Sequence, residues 1–310
     1  MKKFVGLDAL EPAPTGGAVT VGTFDGLHLG HRALVARTLQ AAEEGVASTV
    51  LTWDRHPFAT LRPDRVPLLL SSQRRKIELI EAAGVEVCAV LAFDKELSTW
   101  PPEKFATEVL AAGLGARLVV VGEGWRFGHR AAGDVDLLRR LGRELNFDVE
   151  AVELAAAEGE VVSSTRVRTA VTAGDMELAA SLLGRYFDID GEVIRGERRG
   201  TAIGYPTANL DIDPALACPP RGIYAGRAFA LGRWYSAAIN VGVNPTFGGD
   251  DSSTPIQIEA YLLDFDEDLY GTELRVEFWK RLRDEVRFDS VEELVAKIAE
   301  DVEVTRALTC

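Results

Sequence analysis

Cysteine and histidine are scarce in this chain, with three and four copies in 310 residues. Cys88, Cys218 and Cys310 are odd in number, far apart and outside any CxxC spacing, which excludes a disulfide framework and a cysteine-based zinc site. Cys88 lies within the apolar run VCAVLAF and reads as a core residue. No apolar run approaches the ~18 residues of a membrane span. At the start, MKKFVGLDALEP, Asp8 and Glu11 break the apolar core that a signal peptide needs. Positive charge is in deficit: 34 Lys and Arg face 48 Asp and Glu, for a net charge of −14, which argues against non-specific nucleic-acid binding. Neither GxGxxG nor GK[ST] occurs, so the dinucleotide fingerprint and the P-loop are both excluded. These absences lead us to expect a soluble, cytoplasmic protein without a nucleic-acid or membrane partner; they leave the oligomeric state open. They also mean that any anionic substrate must be caught by a local cluster of donors, because the global field repels it.

The length suggests about two domains at roughly 150 residues each. In the first half short β-rich runs (Ala18–Val21, Thr49–Thr52, Val87–Leu91, Leu118–Val121, Val149–Val152) alternate with amphipathic segments. In His31–Glu44, Leu34, Val35, Leu39 and Ala42 share a face; in Gln73–Ala83, Ile77, Leu79 and Ile80 do. This rhythm predicts an α/β fold with a parallel sheet covered by helices on both faces, and ligands bind such sheets at the carboxyl ends of the strands. VGTFDGLHLGH and VGEGWRFGH fall there. After Gly174 the rhythm changes. Asp175 caps a short helix to Leu183, and from Tyr186 the strands FDIDGEVI, RGIYAGRAFA, WYSAAINVGV, IQIEAYLL and ELRVEFW suggest a small antiparallel barrel. A closing helix follows, with a Ser290/Glu293 capping box and an apolar face of Val291, Leu294, Val295, Ile298 and Val302. We divide the chain into residues 1–184 and 185–310.

Two of the four histidines, His28 and His31, stand three apart where a strand and an Asp25-Gly26 turn lead into a helix. Gly22, Gly26 and Gly30 space the loop, and Gly30 lets backbone approach a ligand. A helix N-terminus favours phosphate, and two imidazole donors beside it can hold the oxygens of a triphosphate. Two other readings stand beside this one. The pair could be metal ligands, although no third ligand is near, or it could be ordinary turn residues.

VGTFDGLHLGHRAL resembles the HxGH superfamily of nucleotidylyltransferases. WDRHP (Trp53–Pro57) looks like that family's FDPHP, and VSSTRVR (Val162–Arg168) like ISSTxIR. Together they resemble the adenylyltransferase half of bacterial bifunctional riboflavin kinase/FMN adenylyltransferases, the FAD synthetases. The resemblance implies a Rossmann-like domain that binds ATP through Gly22, Phe24, His28, His31, Ser164, Thr165 and Arg168, with His28 and His31 catalytic. It implies flavin contacts at His56, Pro57 and Trp125. Read from residues alone, SSTRVR is a helix start with Arg166 and Arg168 just inside, suited to phosphate or to plain capping. VGEGWRFGHRAAGD departs from the pattern: Gly124 stands in place of Asn or Asp, and Trp125 in place of Phe. Gly124 cannot donate the hydrogen bonds of an Asn side chain. Trp53 and Arg55 are further departures.

In the second half, GEVIRGERRGTAIGYPTANL carries Gly196, Gly200 and Gly204 in a basic loop with Arg195, Arg198 and Arg199. Such a loop can lay backbone N–H groups and cations along a polyphosphate. Thr207 and Asn209, after Pro206, offer neutral hard oxygens of the kind Mg²⁺ takes, or a turn that satisfies its own backbone. PTANL, PRGIYAG, INVGVNPTF, IEAYLLDFDEDLYG and WKRLRDEVRFDSVEEL follow in order and resemble the riboflavin kinase domain across nearly its whole length. The resemblance implies ATP binding at Gly196, Gly200, Gly204, Thr207 and Asn209, Mg²⁺ at Thr207 and Asn209, and a catalytic base at Glu259. Glu259 is alternatively a solvent-facing residue of an alternating strand, between Ile258 and Ala260. The acidic run Asp264, Asp266, Glu267 and Asp268 reads as a solvated turn. Phe247, Phe278 and Trp279 are candidates to wall an isoalloxazine ring, or plain core aromatics.

The implied function is flavin cofactor biosynthesis: riboflavin and ATP give FMN and ADP in the C-terminal domain, and FMN and ATP give FAD and diphosphate in the N-terminal one. The alternatives are a riboflavin kinase whose N-terminal domain is weakened or acts on another phosphorylated acceptor, and a non-catalytic flavin-binding or regulatory protein.

Overall fold

The computed structural model describes residues 1–12, 16–42, 45–153, 156–157, 159–196, 200, 203–243 and 256–309. The chain forms two compact units. One comprises residues 1–69 and 73–163, the other 70–72 and 164–310.

The first unit is built on a six-stranded sheet: β1 Lys2–Val5, β2 Gly17–Val21, β3 Ala47–Trp53, β4 Val87–Leu91, β5 Ala116–Gly122 and β6 Asp148–Val152. The order is β1-β4-β3-β2-β5-β6, and every pairing is parallel. The alternation of side chains along each strand feeds two cores. Val19, Val21, Leu51, Trp53, Ala89, Leu91, Val119 and Val121 point to one, closed by Phe105, Val109, Leu110 and helix α6 (Val135–Leu145). Val50, Cys88 and Val90 point to the other, closed by Val35 of α1 (Leu29–Ala42) and by Leu79 and Ile80 of α3 (Gln73–Ala82). The four-residue helices are α2 Phe58–Leu61, α4 Lys95–Ser98 and α5 Pro102–Phe105, and β7 Ala156–Ala157 pairs antiparallel with β8 Glu160–Val161. The expected parallel sheet with helices on both faces is present. The edge strand β1 was not among the expected strands, because KKFV is four residues long and does not alternate polar with apolar.

The second unit begins with α7 (Ser164–Ala173) and α8 (Met176–Leu183), the latter capped by Asp175, whose carboxylate accepts from Leu178 N at 3.0 Å. A closed antiparallel barrel follows: β9 Phe187–Ile194, β10 Ala208–Asp211, β11 Gly222–Ala230, β12 Arg233–Val243, β13 Ile256–Leu262 and β14 Glu273–Arg283, ordered β10-β13-β12-β11-β14-β9. Strand β10 is an addition to the five expected: Ala208 and Asn209 open a strand rather than complete a turn.

The C-terminal helix Val291–Thr309 has its Ser290 cap, with Ser290 Oγ accepting from Glu293 N, while the Glu293 carboxylate reaches back to Asp289 N. Its buried side is the expected face: Val302 is buried, Leu294, Val295 and Ile298 are half-buried, and Asp301, Thr305 and Thr309 continue that face toward the C-terminus, while Val291 at the first turn is exposed. A polar contact adds to it: Arg283 at the end of β14 grips Asp301 with Nε and Nη2, the latter at 2.7 Å. Among the described residues no helix is long and apolar enough to cross a membrane.

Breaking one partner of a nearly buried ion pair strands the other. Asp301→Ala should lower the urea-unfolding free energy of the barrel by about 3 kcal/mol, followed through Trp279 fluorescence.

Candidate active sites

The imidazole pair is created by the way α1 starts. Thr23, Phe24, Asp25, Gly26 and Leu27 form a tight turn with positive φ at Phe24 (51°), Gly26 (74°) and Leu27 (40°). His28 is then extended and serves as N-cap, its carbonyl accepting the first helical bond from Arg32 N at 2.9 Å. Its Nδ1 accepts a longer bond, 3.4 Å, from His31 N. An accepting Nδ1 leaves the ring proton on Nε2, so His28 presents a donor away from the helix. The two rings stack with centroids 3.7 Å apart and planes at 19°. Phe24, wholly buried, meets His31 edge-on at 5.2 Å. Gly30 has a role different from the expected approach to a ligand. A β-carbon there would lie 3.1 Å from His28 Cε1 and 3.3 Å from the Val162 carbonyl, so the imidazole already fills that space. At Gly22 the Phe24 ring does the same, at 3.2 Å.

The other residues named for this half lie as follows. His56 Nδ1 accepts from Phe58 N at 3.2 Å, and with Pro57 it opens α2. Trp125 stacks on Phe127 at 4.7 Å and 12°, half-buried against the core that Trp53 and Phe105 share. Around Gly124 a β-carbon would meet nothing within 4 Å, so an Asn side chain has room there. Ser164, Thr165 and Arg168 form the opening of α7, in the second compact unit.

One residue that the sequence reading passed over stands out. Lys76 is only 6% exposed, on the inner face of α3. Its Nζ donates to the Trp53 carbonyl at the end of β3, at 2.9 Å. Burial pulls its pKa down to about 8, against the opposing pull of Asp25, Cys88 and Asp54. The signal was present in the sequence, since Lys76 occupies the helical face of Leu79 and Ile80.

On the barrel, the register places three polar residues side by side. Glu259 of β13 pairs with Asn209 of β10 on one flank and with Asn240 of β12 on the other. Ile258, Ala260, Ile239 and Val241 point into the barrel, so by alternation all three polar side chains face outward. Thr207 Oγ1 donates to Glu259 Oε2 at 3.2 Å, and Gln257 Nε2 donates to Asn209 Oδ1. Asn240 Oδ1 is enclosed and has no hydrogen-bond partner among the described residues. Gly196 covers Asn209: a β-carbon there would lie 2.5 Å from its Nδ2. Gly200 takes hydrogen bonds from Ile203 N and Tyr205 N, which turns the chain toward Thr207. Gly204 has φ +87° and open space around it. Asn240 and Gln257 went unnamed at the sequence level, because only strand pairing shows that they stand next to Glu259.

Phe278 corrects the flavin-wall expectation: it is wholly buried inside the barrel against Tyr224 and Phe187. Trp279 faces outward, stacked on Tyr186 at 4.1 Å with the Arg227 guanidinium over its ring. Asp264 pairs with Arg306 through both oxygens, and with Asp266, Glu267 and Asp268 it forms an exposed turn. Arg198, Arg199 and Phe247 lie outside the described residues.

The two glycine contacts give paired expectations. Gly30→Ala should displace the His28 ring and lower FAD formation from supplied FMN at least tenfold, leaving FMN formation unchanged. Gly196→Ala should displace Asn209 and do the opposite. Single-step assays with riboflavin or FMN as sole acceptor read both.

Comparison with known proteins matches two family models, "FAD synthetase" over residues 10–166 and "Riboflavin kinase" over residues 183–309. A bifunctional riboflavin kinase/FMN adenylyltransferase of Pseudomonas fluorescens is 37% identical over 304 residues, covering 98% of this chain and 96% of its own. That of Bacillus subtilis is 34% identical, covering 91% and 89%. A crystal structure from Streptococcus pneumoniae, described as a macrolide-efflux protein, superposes with a TM-score of 0.87 at 29% identity over 99% of each chain.

Proposed function

The chain belongs to the bifunctional riboflavin kinase/FMN adenylyltransferase family, and we propose that it makes FAD from riboflavin and two molecules of ATP. The observation that carries this reading is the match of both family models to one chain, each over a half whose architecture is of the corresponding kind. We assign adenylyl transfer to residues 1–184 and phosphoryl transfer to residues 185–310, and the cytoplasm as the compartment where ATP and flavin meet the enzyme.

In the barrel, Glu259 accepts the proton of the riboflavin 5′-hydroxyl as that oxygen attacks the γ-phosphorus of ATP, and ADP leaves. Its neighbour supports the role, since Thr207 Oγ1 donates to one carboxylate oxygen and holds the group in place. Gly196, Gly200 and Gly204 shape the loop that takes the phosphates. Mg²⁺ belongs with this reading. Thr207 Oγ1 and Asn209 Oδ1 would hold it, and two neutral oxygens beside one carboxylate suit a cation that keeps its waters and shares phosphate oxygens. Among the described residues no cluster of three His, Cys, Asp or Glu offers a fuller cage. When bound, the ion neutralises charge on the ATP phosphates.

In the first half the FMN phosphate is the nucleophile. It attacks the α-phosphorus of ATP, the bond to the bridging oxygen breaks, and diphosphate leaves. No protein nucleophile or strong base is needed. His28 Nε2–H and His31 steady the phosphate oxygens as charge moves onto the leaving group, with Gly22 and Phe24 shaping the turn; Ser164, Thr165 and Arg168 open α7 with hydroxyls and a guanidinium of the kind that binds phosphate. His56, Pro57 and Trp125 line the flavin side.

Chromatography of products from riboflavin and MgATP tests the whole. FAD is expected, FMN alone would leave a kinase with an idle first domain, and neither product would leave a binding protein. His28→Ala should abolish FAD formation and spare FMN formation. Glu259→Ala should abolish FMN formation and spare FAD formation from supplied FMN. Full-rate FAD synthesis by His28→Ala would remove His28 from the site.

A further inference from the structure

The side-chain amide of Asn209, a residue only 7% exposed, is held from two sides. On one side is the Gly196 backbone. A β-carbon at Gly196 would lie 2.5 Å from Asn209 Nδ2, 2.6 Å from Cγ and 2.7 Å from Oδ1, so the amide lies flat against that backbone. Flat packing fixes the plane of the group. It does not choose which end is oxygen, because the two ends of an amide are nearly equal in size. A hydrogen bond does choose, since a donor is met by Oδ1 and not by Nδ2. On the other side that donor is Gln257 Nε2.

Gln257 reaches Asn209 through strand register. Asn209 stands opposite Glu259, and Gln257, two residues earlier on β13, shares the outward face. The diagonal neighbour of a cross-strand pair is about 7–8 Å away, a span that a long side chain covers. On its other flank Gln257 stands opposite Gly242 of β12, which offers no side chain of its own. An amide oxygen carries two lone pairs; Gln257 engages one, which leaves the second for a cation.

We propose that Gln257 is a positioning residue for phosphoryl transfer: its side-chain N–H holds the Asn209 carboxamide in the orientation whose oxygen can serve Mg²⁺. The inference rests on the assignment of Mg²⁺ to Thr207 and Asn209. Removing an outer partner of this kind lowers metal affinity about 10- to 100-fold.

The experiment compares the parent with Gln257→Leu, Gln257→Glu and Asn209→Ala in two readouts. The first is the Mg²⁺ concentration that gives half-maximal FMN formation. Gln257→Leu should raise it about tenfold, with kcat at saturating Mg²⁺ within about twofold of the parent. The Mg²⁺ demand of FAD formation from supplied FMN should not change. The second readout is local and independent of turnover. In asparagine-labelled protein with ADP, Mn²⁺ should broaden the Asn209 side-chain resonance, identified by its loss in Asn209→Ala. The Mn²⁺ needed should rise in Gln257→Leu by the same factor. Gln257→Glu keeps the length, removes the donor and adds a negative charge. Charge alone would tighten metal binding, whereas loss of the donor should loosen it. Because Gln257 acts through Asn209, the Gln257→Leu/Asn209→Ala double variant should need no more Mg²⁺ than Asn209→Ala. Parent-like values in Gln257→Leu, tighter binding in Gln257→Glu, or additive losses in the double variant would overturn the proposal. Should Gln257→Leu not fold, Gln257→Glu decides. If Mn²⁺ leaves Asn209 sharp in the parent and Asn209→Ala keeps the parent's Mg²⁺ demand, the metal assignment itself fails and the proposal goes with it.

Discussion

In each candidate site a functional side chain occupies the space where a glycine's β-carbon would stand. The His28 imidazole lies against Gly30, and the Asn209 amide lies against Gly196. The two units share no architecture, since one is a parallel sheet and the other a closed barrel. The constraint common to both is distance: a ring or an amide must press on backbone closely enough to be fixed in one orientation. Side-chain entropy is what such contact removes before any substrate arrives. Groups held this way are already aimed, and the ordering cost is met in folding rather than in binding.

The net charge of −14 explains why aim matters so much here. A strongly cationic cleft could draw in ATP by field alone. In the proposed sites that part falls to imidazoles, hydroxyls, amides and backbone N–H groups. The buried Lys76 ammonium is turned to the Trp53 carbonyl. On the barrel the outward row of Asn209, Glu259 and Asn240 carries a single charge among three polar residues. Local geometry stands in for field.

Much of this could be read from the sequence, and the limits follow from physics. The parallel sheet was legible because its strands are continuous apolar runs separated by helical patterns. The helix start at HLGH was legible because a turn dipeptide, a glycine and two imidazoles coincide. Asp175 and Ser290 were legible as caps because capping is local. Strand β10 was not, since four residues after a proline read equally well as a turn, and only pairing with β13 and β9 settles them. The buried face of the C-terminal helix was legible through Leu294, Val295, Ile298 and Val302, but its buried polar members, Asp301 with its Arg283 partner above all, were not, because apolar spacing ignores polar residues. Phe278 stayed between two readings, flavin wall and core, because a strand pattern does not say which side of a barrel is the inside; its burial decides for the core. Gln257 and Asn240 become neighbours of Glu259 only through register.

Sensitivity to position separates these sites from ones that work by charge. A Coulomb interaction falls off as the inverse of distance, so a shift of half an ångström at about 4 Å changes it by roughly a tenth. A neutral hydrogen bond is nearly lost over a displacement of ~1 Å or a tilt of ~60°. A site assembled from neutral donors therefore depends most on residues that set angles and spacings. Those residues need not touch a ligand: Gly30 acts through His28 and Gly196 through Asn209. They carry no recognisable catalytic chemistry of their own, so motif reading passes over them, and they emerge only when each buried polar group and each missing β-carbon is asked what it holds in place.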